Sequence, residues 1–331
     1  MSPNDEVMAA RLPVSTGRNM NRLSVILPAK NEGAVIGRVV EGIRSLLPDA
    51  EVLVVNDGST DATREEAERA GATVVTHPYS MGNGAAIKSG ARAATGDILV
   101  FMDADGQHDP ADIPRLLAQL DDGFDMVVGA RDGGSQASLG RGLANRFYNR
   151  LASYMTGHRI DDLTSGMRAA RAHRFREFLH LLPNGFSYPT TSTMAFFRAG
   201  YPVSYIPIKA AKRVGKSHVR ILKDGARFLL IIFKIGTLYS PLKLFAPVVV
   251  VQALLGLGYY AYTFILHGRL SLATIFLLTS AVTTFLIGLV SEQITQLMYR
   301  SSGGESEMMT NIAARSAGAR PCASTRASGR E

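Results

Sequence analysis

Two stretches in the last third of the chain contain no charged residue: FAPVVVVQALLGLGYYAYTFIL (Phe245–Leu266) and SLATIFLLTSAVTTFLIGLVS (Ser271–Ser291). Each reaches the roughly 20 residues that an α-helix needs to cross a bilayer core. A soluble helix of that length would show a polar stripe along one side. Only HGRL separates the two, which predicts a tight transmembrane hairpin with Tyr259, Tyr260 and Tyr262 as interface anchors near the turn. Lys234 and Lys243 precede the hairpin and Arg300, Arg315 and Arg320 follow it, against Arg269 in the turn. By the positive-inside tendency both termini face the cytoplasm. The N-terminus lacks a basic start followed by an apolar core, so no secretory signal is expected.

The formal charge of +8 over 331 residues suggests an anionic partner. No basic block interleaved with aromatics occurs in the first 200 residues, so nucleic acid is not the expected partner. Cys322 is the single cysteine, which leaves no intrachain disulfide and fits a reducing compartment.

Upstream of the hairpin, short apolar runs alternate with helical patterns. LSVIL, EVLVV, ATVVT, DILVFM and DMVVGA read as strands, with AVIGRVVEGIRSLL, TDATREEAERA, GAAIKSGARAA and DIPRLLAQL as intervening helices, the second capped near Ser59 or Thr60. This alternation predicts an α/β domain with a largely parallel sheet, whose ligands lie beyond the carboxyl ends of the strands. The segments after those strands are polar: Pro28-Ala29-Lys30-Asn31-Glu32, Asn56-Asp57-Gly58-Ser59, Asp103-Ala104-Asp105 and Gly129-Ala130-Arg131. The fourth strand runs into three carboxylates, Asp103, Asp105 and Asp109, and a divalent cation would relieve their crowding. At i and i+2 of an extended segment, Asp103 and Asp105 would share one side while Ala104 faces the core. Asp109, before Pro110, reads as a helix cap.

The motifs VILPAKNE, VVNDGSTD, GNGAAIKSG, DADGQHDP, DLTSGMR and KRVGKSH, in that order over about residues 22–220, resemble the family 2 glycosyltransferases, and within them the polyprenyl-phosphate sugar transferases similar to dolichol-phosphate mannose synthase. The resemblance implies a GT-A fold, Rossmann-like, and a metal-dependent, inverting transfer from a UDP- or GDP-linked sugar to a polyprenyl phosphate at the inner membrane. It assigns Asp103, Asp105 and Gln107 to Mg²⁺ or Mn²⁺ and the donor diphosphate. It assigns Pro28, Ala29, Glu32 and Asp57 to the donor, with Gly84 close to it. The turn MGNGAA allows positive φ at Gly82 and Gly84, and either cradles phosphate or only bends the chain. Asn83 and His218 stand where many relatives carry Lys.

An anionic phosphate acceptor needs cations and positioning more than a general base. Arg131, Arg141, Arg168 and Arg213, with Ser217, are the candidates, since guanidinium groups bind phosphate bidentately; Arg141 also reads as a solvated helix residue. Asp162 either orders the site by pairing with an arginine, the reading favoured here, or acts as base toward a hydroxyl acceptor. After the catalytic domain, Lys216, Arg220, Lys223, Arg227 and Lys234 fall on one helical face opposite Leu222, Leu229 and Phe233, a pattern suited to an anionic leaflet.

The expected layout is a disordered segment over 1–21, the GT-A domain over 22–215, an amphipathic interface region over 216–244, the spans over 245–291 and a polar, largely disordered tail over 292–331. Homo-oligomer formation is left open. The rival functions are transfer to a hydroxyl of a lipid or glycan and a non-catalytic membrane scaffold. A processive polysaccharide synthase is disfavoured because the chain has no tryptophan.

Overall fold

The computed structural model describes residues 22–131, 139–185, 187–209, 236–237 and 239–318, with side chains described outside 139–145 and 298–318. Seven strands form one sheet: β1 (Leu23–Ala29), β2 (Glu51–Asn56), β3 (Thr73–Thr76), β4 (Ile98–Phe101), β5 (Met126–Arg131), β6 (Arg168–Arg171) and β7 (Val203–Ile208), in the order β3-β2-β1-β4-β6-β5-β7. β1 pairs in parallel with β2 and β4, β2 with β3, and β5 with β7. β6 runs antiparallel to both of its neighbours, β4 and β5. The sheet is therefore mixed, with one antiparallel strand inserted into an otherwise parallel array. RAAR offers no apolar run to mark it as a strand. Its place between β4 and β5 is made by Ala169 and Ala170, both fully buried, which pair with Val100 and Leu99.

Alternate residues of the central strands point to opposite faces, and both faces are covered. Val25 and Leu27 pack under α1 (Ile36–Leu46) and α4 (Ile113–Asp121), against Ile36, Val40, Ile43, Ile113 and Leu116. Ile26, Leu53, Leu99 and Phe101 face Ile87 of α3 (Asn83–Ala93), Phe175 of α6 (Ala172–Glu177) and Phe196 of α7 (Tyr188–Arg198). Continuous burial on both sides is why the strands read as unbroken apolar runs. α2 (Thr63–Arg69) begins later than Ser59 or Thr60, because Asp61 accepts a bond from the Thr63 amide at 3.1 Å. Asp109 does cap the turn at Pro110–Asp112, accepting from Ala111 N at 2.9 Å.

α5 (Leu139–Thr156) lies apart from the sheet and packs Tyr148, Ala152 and Met155 against Met194 and Tyr239. The hairpin follows as α8 (Pro241–His267) and α9 (Leu272–Gly318), joined through Gly268 at φ +59°. Both helices are long and apolar enough to cross a membrane. They leave Ile265, Leu272 and Phe276 more than 70 % exposed, an apolar surface that water solvates poorly. The first helix starts before Phe245, and the second runs past Ser291 to Gly318. Helix thus replaces the expected disorder over 292–318, where no proline interrupts the sequence before Pro321. Arg198 pairs with Glu292 at 3.3 Å, and Lys243 Nζ donates to Met155 O at 2.9 Å. The hairpin is thereby fastened to the sheet domain. Residues 1–21, the basic segment 216–235 and the tail from 319 lie outside the described residues.

Candidate active site

The strand-end loops converge as the parallel part of the sheet requires, and their side chains are largely bonded to one another's backbones. Asn31, at φ +56°, accepts from Thr60 N at 2.9 Å, and its own N–H donates to Ser59 Oγ at 3.0 Å. Glu32 N donates to Thr63 Oγ1, and Gly33 N donates to Asp61 Oδ2. The polar residues of NDGSTD therefore hold the β1 turn against the β2 turn. Pro28 is half-buried, Ala29 is buried and the Glu32 carbonyl receives the first amides of α1, so these three shape the floor of the edge.

Asp57, expected to contact the donor, is engaged by its own neighbouring loop. It is 4 % exposed, and its carboxylate accepts from Met81 N at 2.7 Å, Gly82 N at 2.9 Å and Ser80 Oγ at 2.8 Å, with His77 Nδ1 also at 2.8 Å. Burial raises its pKa, but the bonds from His77, Met81, Gly82 and Ser80 outweigh that and hold it below the ordinary carboxylate value. Asp57 fixes the loop between β3 and α3. Gly82 has the positive φ that this loop requires, at +102°, whereas Gly84 does not. Gly84 N donates to Gly185 O, Ala85 N donates to Asn184 O, and a Cβ on Gly84 would stand 2.0 Å from Pro183 O. The amides of Gly84 and Ala85, which at a helix start could face an anion, are thus bonded to carbonyls, and Gly84 packs against the 183–185 backbone.

The acidic pair sits at the end of β4. Asp105 lies in a turn that begins at Ala104, just after Asp103, with Gly106 at φ +71° and Ala104 buried in the core as expected. Asp105 Oδ1 accepts from Gln107 N at 3.1 Å, which holds together two of the three expected metal-site residues. A cleft of about 590 Å³ opens beside them, lined by Val35, Arg38, Asp105, Gln107, His108 and Lys209 among others. Two carboxylates are hard oxygen donors suited to Mg²⁺ or Mn²⁺. No group of three His, Cys, Asp or Glu among the described residues could hold a metal alone. The donor set thus fits a cation whose coordination is completed by phosphate oxygens and water.

The arginines separate into distinct environments. Arg131, at the end of β5, pairs with Asp162 and donates to Thr164 Oγ1 at 2.7 Å. Burial raises the pKa of Asp162, yet the bond and charge of Arg131 bring it below the ordinary value. Its carboxylate is thus occupied by Arg131 and by the Thr164 amide. Arg168 is fully buried. Its guanidinium donates to Ser165 O, Pro189 O, Ser192 Oγ and Thr193 Oγ1, which ties β6 to α7. Arg141 lies on α5, where only the backbone is described, and Arg213 and Ser217 lie outside the described residues.

Two contributors escaped the sequence reading. Gly166 lies so close to Asp103 that a Cβ there would meet its Oδ2 at 2.3 Å. His108 is 7 % exposed, with Nε2 at 3.7 Å from the same Oδ2. The motifs DLTSGMR and DADGQHDP contained both residues, but the contacts cross between motifs.

Comparison with known proteins agrees with this architecture. Residues 24–179 match the family described as glycosyl transferase family 2, and residues 240–297 match the GtrB C-terminal hairpin. The chain is 28 % identical over 287 residues to glycosyltransferase AglJ of Haloferax volcanii, covering 82 % of this chain and 93 % of that protein. It is 34 % identical over 173 residues to the undecaprenyl-phosphate 4-deoxy-4-formamido-L-arabinose transferase of an Enterobacter species, covering 49 % of this chain and 52 % of the relative. Glucosyl-3-phosphoglycerate synthase from Mycobacterium tuberculosis, solved in complex with Mn²⁺ and UDP-glucose, superposes with a TM-score of 0.52 at 26 % identity, over 66 % of this chain and 78 % of that one.

Proposed function

We propose, for a chain that belongs to the family 2 glycosyltransferases and ends in a GtrB-type hairpin, that it transfers a sugar from a nucleoside-diphosphate sugar to a polyprenyl phosphate. The observation that carries this reading is the attachment of the acidic strand end and its cleft to an apolar hairpin, through Arg198–Glu292 and Lys243–Met155. A soluble acceptor would give such an anchor no purpose. The named acceptor of the arabinose transferases and the UDP-glucose of the mycobacterial synthase support the same pairing of substrates.

In the reaction, an oxygen of the lipid phosphate bonds to the anomeric carbon as the bond to the donor diphosphate breaks, with inversion there. The nucleoside diphosphate leaves with the bonding electron pair. The acceptor, with a second pKa of about 6, is already anionic at neutral pH, so no side chain has to remove a proton. This agrees with the engagement of Asp162 by Arg131, which argues against a general base for a hydroxyl acceptor. Asp103, Asp105 and Gln107 would hold Mg²⁺ or Mn²⁺, which when bound neutralises charge on the departing diphosphate. The strand-end loops position the donor.

The acceptor approaches from the hairpin side. α5 presents Phe147 and Tyr154 to the outside, beside exposed Arg146 and Arg150, and its last turn is held by Lys243 at the start of the first span. An aromatic and basic face at that level suits the headgroup region of an anionic leaflet. The sheet domain then stands on the cytoplasmic face of the inner membrane. The test is to supply liposomes carrying the protein with labelled UDP- and GDP-sugars and either polyprenyl phosphate or polyprenol. Label in lipid extracts only with the phosphate supports the reading; equal product from polyprenol overturns it.

A further inference from the structure

We infer that His108 is a positioning residue that holds the carboxylate of Asp103 against the Gly166 backbone. The inference rests on the glycosyltransferase reading of the acidic pair but assigns a role to a residue outside it. Asp103 is enclosed from two sides. Gly166 lies against the whole carboxylate: a Cβ there would stand 2.3 Å from Oδ2, 2.7 Å from Cγ and 2.9 Å from Oδ1. His108 is buried, and its Nε2 faces Oδ2 at 3.7 Å. That distance is an electrostatic contact, somewhat longer than a hydrogen bond.

The other ring nitrogen identifies the direction of the interaction. Among the described residues, His108 Nδ1 is buried without a hydrogen-bond partner. A neutral imidazole carries one N–H and one bare acceptor nitrogen. With the proton on Nδ1, a buried donor would be unsatisfied and a lone pair would face the carboxylate. With the proton on Nε2, the N–H points to Asp103 and only the acceptor lacks a partner. The second arrangement is favoured on both counts. His108 therefore turns its N–H toward Oδ2 as an electrostatic contact, while glycine at position 166 allows the carboxylate to lie close against the DLTSGMR turn. An outer partner of this kind orients a metal-binding carboxylate before the ligand arrives.

The two ring nitrogens can be replaced separately. Gln extends an amide toward the position of Nε2, and Asn toward that of Nδ1. Full-length protein in detergent would be titrated with Mn²⁺ in the presence of UDP, with binding followed by the loss of free-Mn²⁺ paramagnetic signal. Thermal melting would be recorded for each variant. His108→Ala and His108→Asn are expected to weaken Mn²⁺ binding on the order of tenfold or more, the range for loss of an outer-shell partner. His108→Gln is expected to retain most of the affinity. Equal affinity for the wild type and the Asn variant overturns the role of His108, as does a Gln variant no better than Asn at comparable melting temperatures. A wild-type protein that binds no Mn²⁺ with UDP overturns the metal reading of the pair, and this inference with it.

Discussion

Arg131 grips Asp162 through two parallel bonds, Nε to Oδ2 at 2.8 Å and Nη2 to Oδ1 at 3.1 Å, and its own amide adds a third at 3.2 Å. The last residue of β5 is thereby joined to the loop that leads into β6. The antiparallel strand enters the sheet from a fixed starting point.

Asp162→Asn should destabilise the protein by about 3 kcal/mol, since removing one partner of a mostly buried pair leaves the other charge uncompensated. The pH dependence has a definite sign. The folded pKa of Asp162 is depressed below its ordinary 3.8. Its stabilisation is therefore fully present above the unfolded value and is lost as pH falls through the lower folded value. Melting temperatures measured from pH 3 to 8 should differ most between wild type and variant near neutrality and converge in acid. A constant difference across the range would contradict the pairing.

Asp105→Asn should lower transfer by about two to three orders of magnitude, the scale seen when one preorganised electrostatic group is removed, without changing the melting temperature. Asp103→Asn should act in the same direction. Chelation should abolish turnover, and Mg²⁺ or Mn²⁺ should restore it. Turnover undiminished by chelator would remove the cation from the reaction.

Arg168→Lys should cost on the order of 3 kcal/mol in denaturant unfolding, because a buried charge remains while the guanidinium bonds to Ser165 O, Pro189 O and Ser192 Oγ are lost. In the folded fraction the Michaelis constant for the lipid acceptor should be unchanged. A selective rise in that constant would return Arg168 to the acceptor site.

Gly84→Ala should lower stability by about 1–3 kcal/mol, as overpacking against a backbone oxygen forces the 183–185 loop to move. Thermal unfolding and nucleotide binding measured together would separate this from a donor contact: a stable variant with weakened nucleotide binding would indicate direct recognition.

Phe147→Ser combined with Tyr154→Ser should lower turnover of the lipid acceptor several-fold while leaving nucleotide affinity intact, because both rings are exposed on the helix whose end Lys243 of the hairpin holds at Met155 O. Equal turnover in liposomes of every anionic-lipid content would make that face an ordinary solvated surface.

The sequence by itself determined the features that depend on local composition and period. Two uncharged runs of bilayer length predicted a pair of long apolar helices, and the structure has them. Strand runs buried on both faces announced the parallel part of the sheet, and Asp103 and Asp105 marked the edge at which the cation is proposed to bind. Tertiary structure alone decided how the polar residues at that edge are used. Asp57 binds a loop that lies more than twenty positions away in sequence, and the amides of Gly84 and Ala85 meet carbonyls about a hundred positions away. β6 became a strand because two small alanines fit between β4 and β5, although nothing in RAAR itself demands an extended chain. Residue type states what a side chain can donate, accept or carry. Which of those capacities remains for a ligand depends on the groups that folding brings against it, and those come from distant parts of the chain.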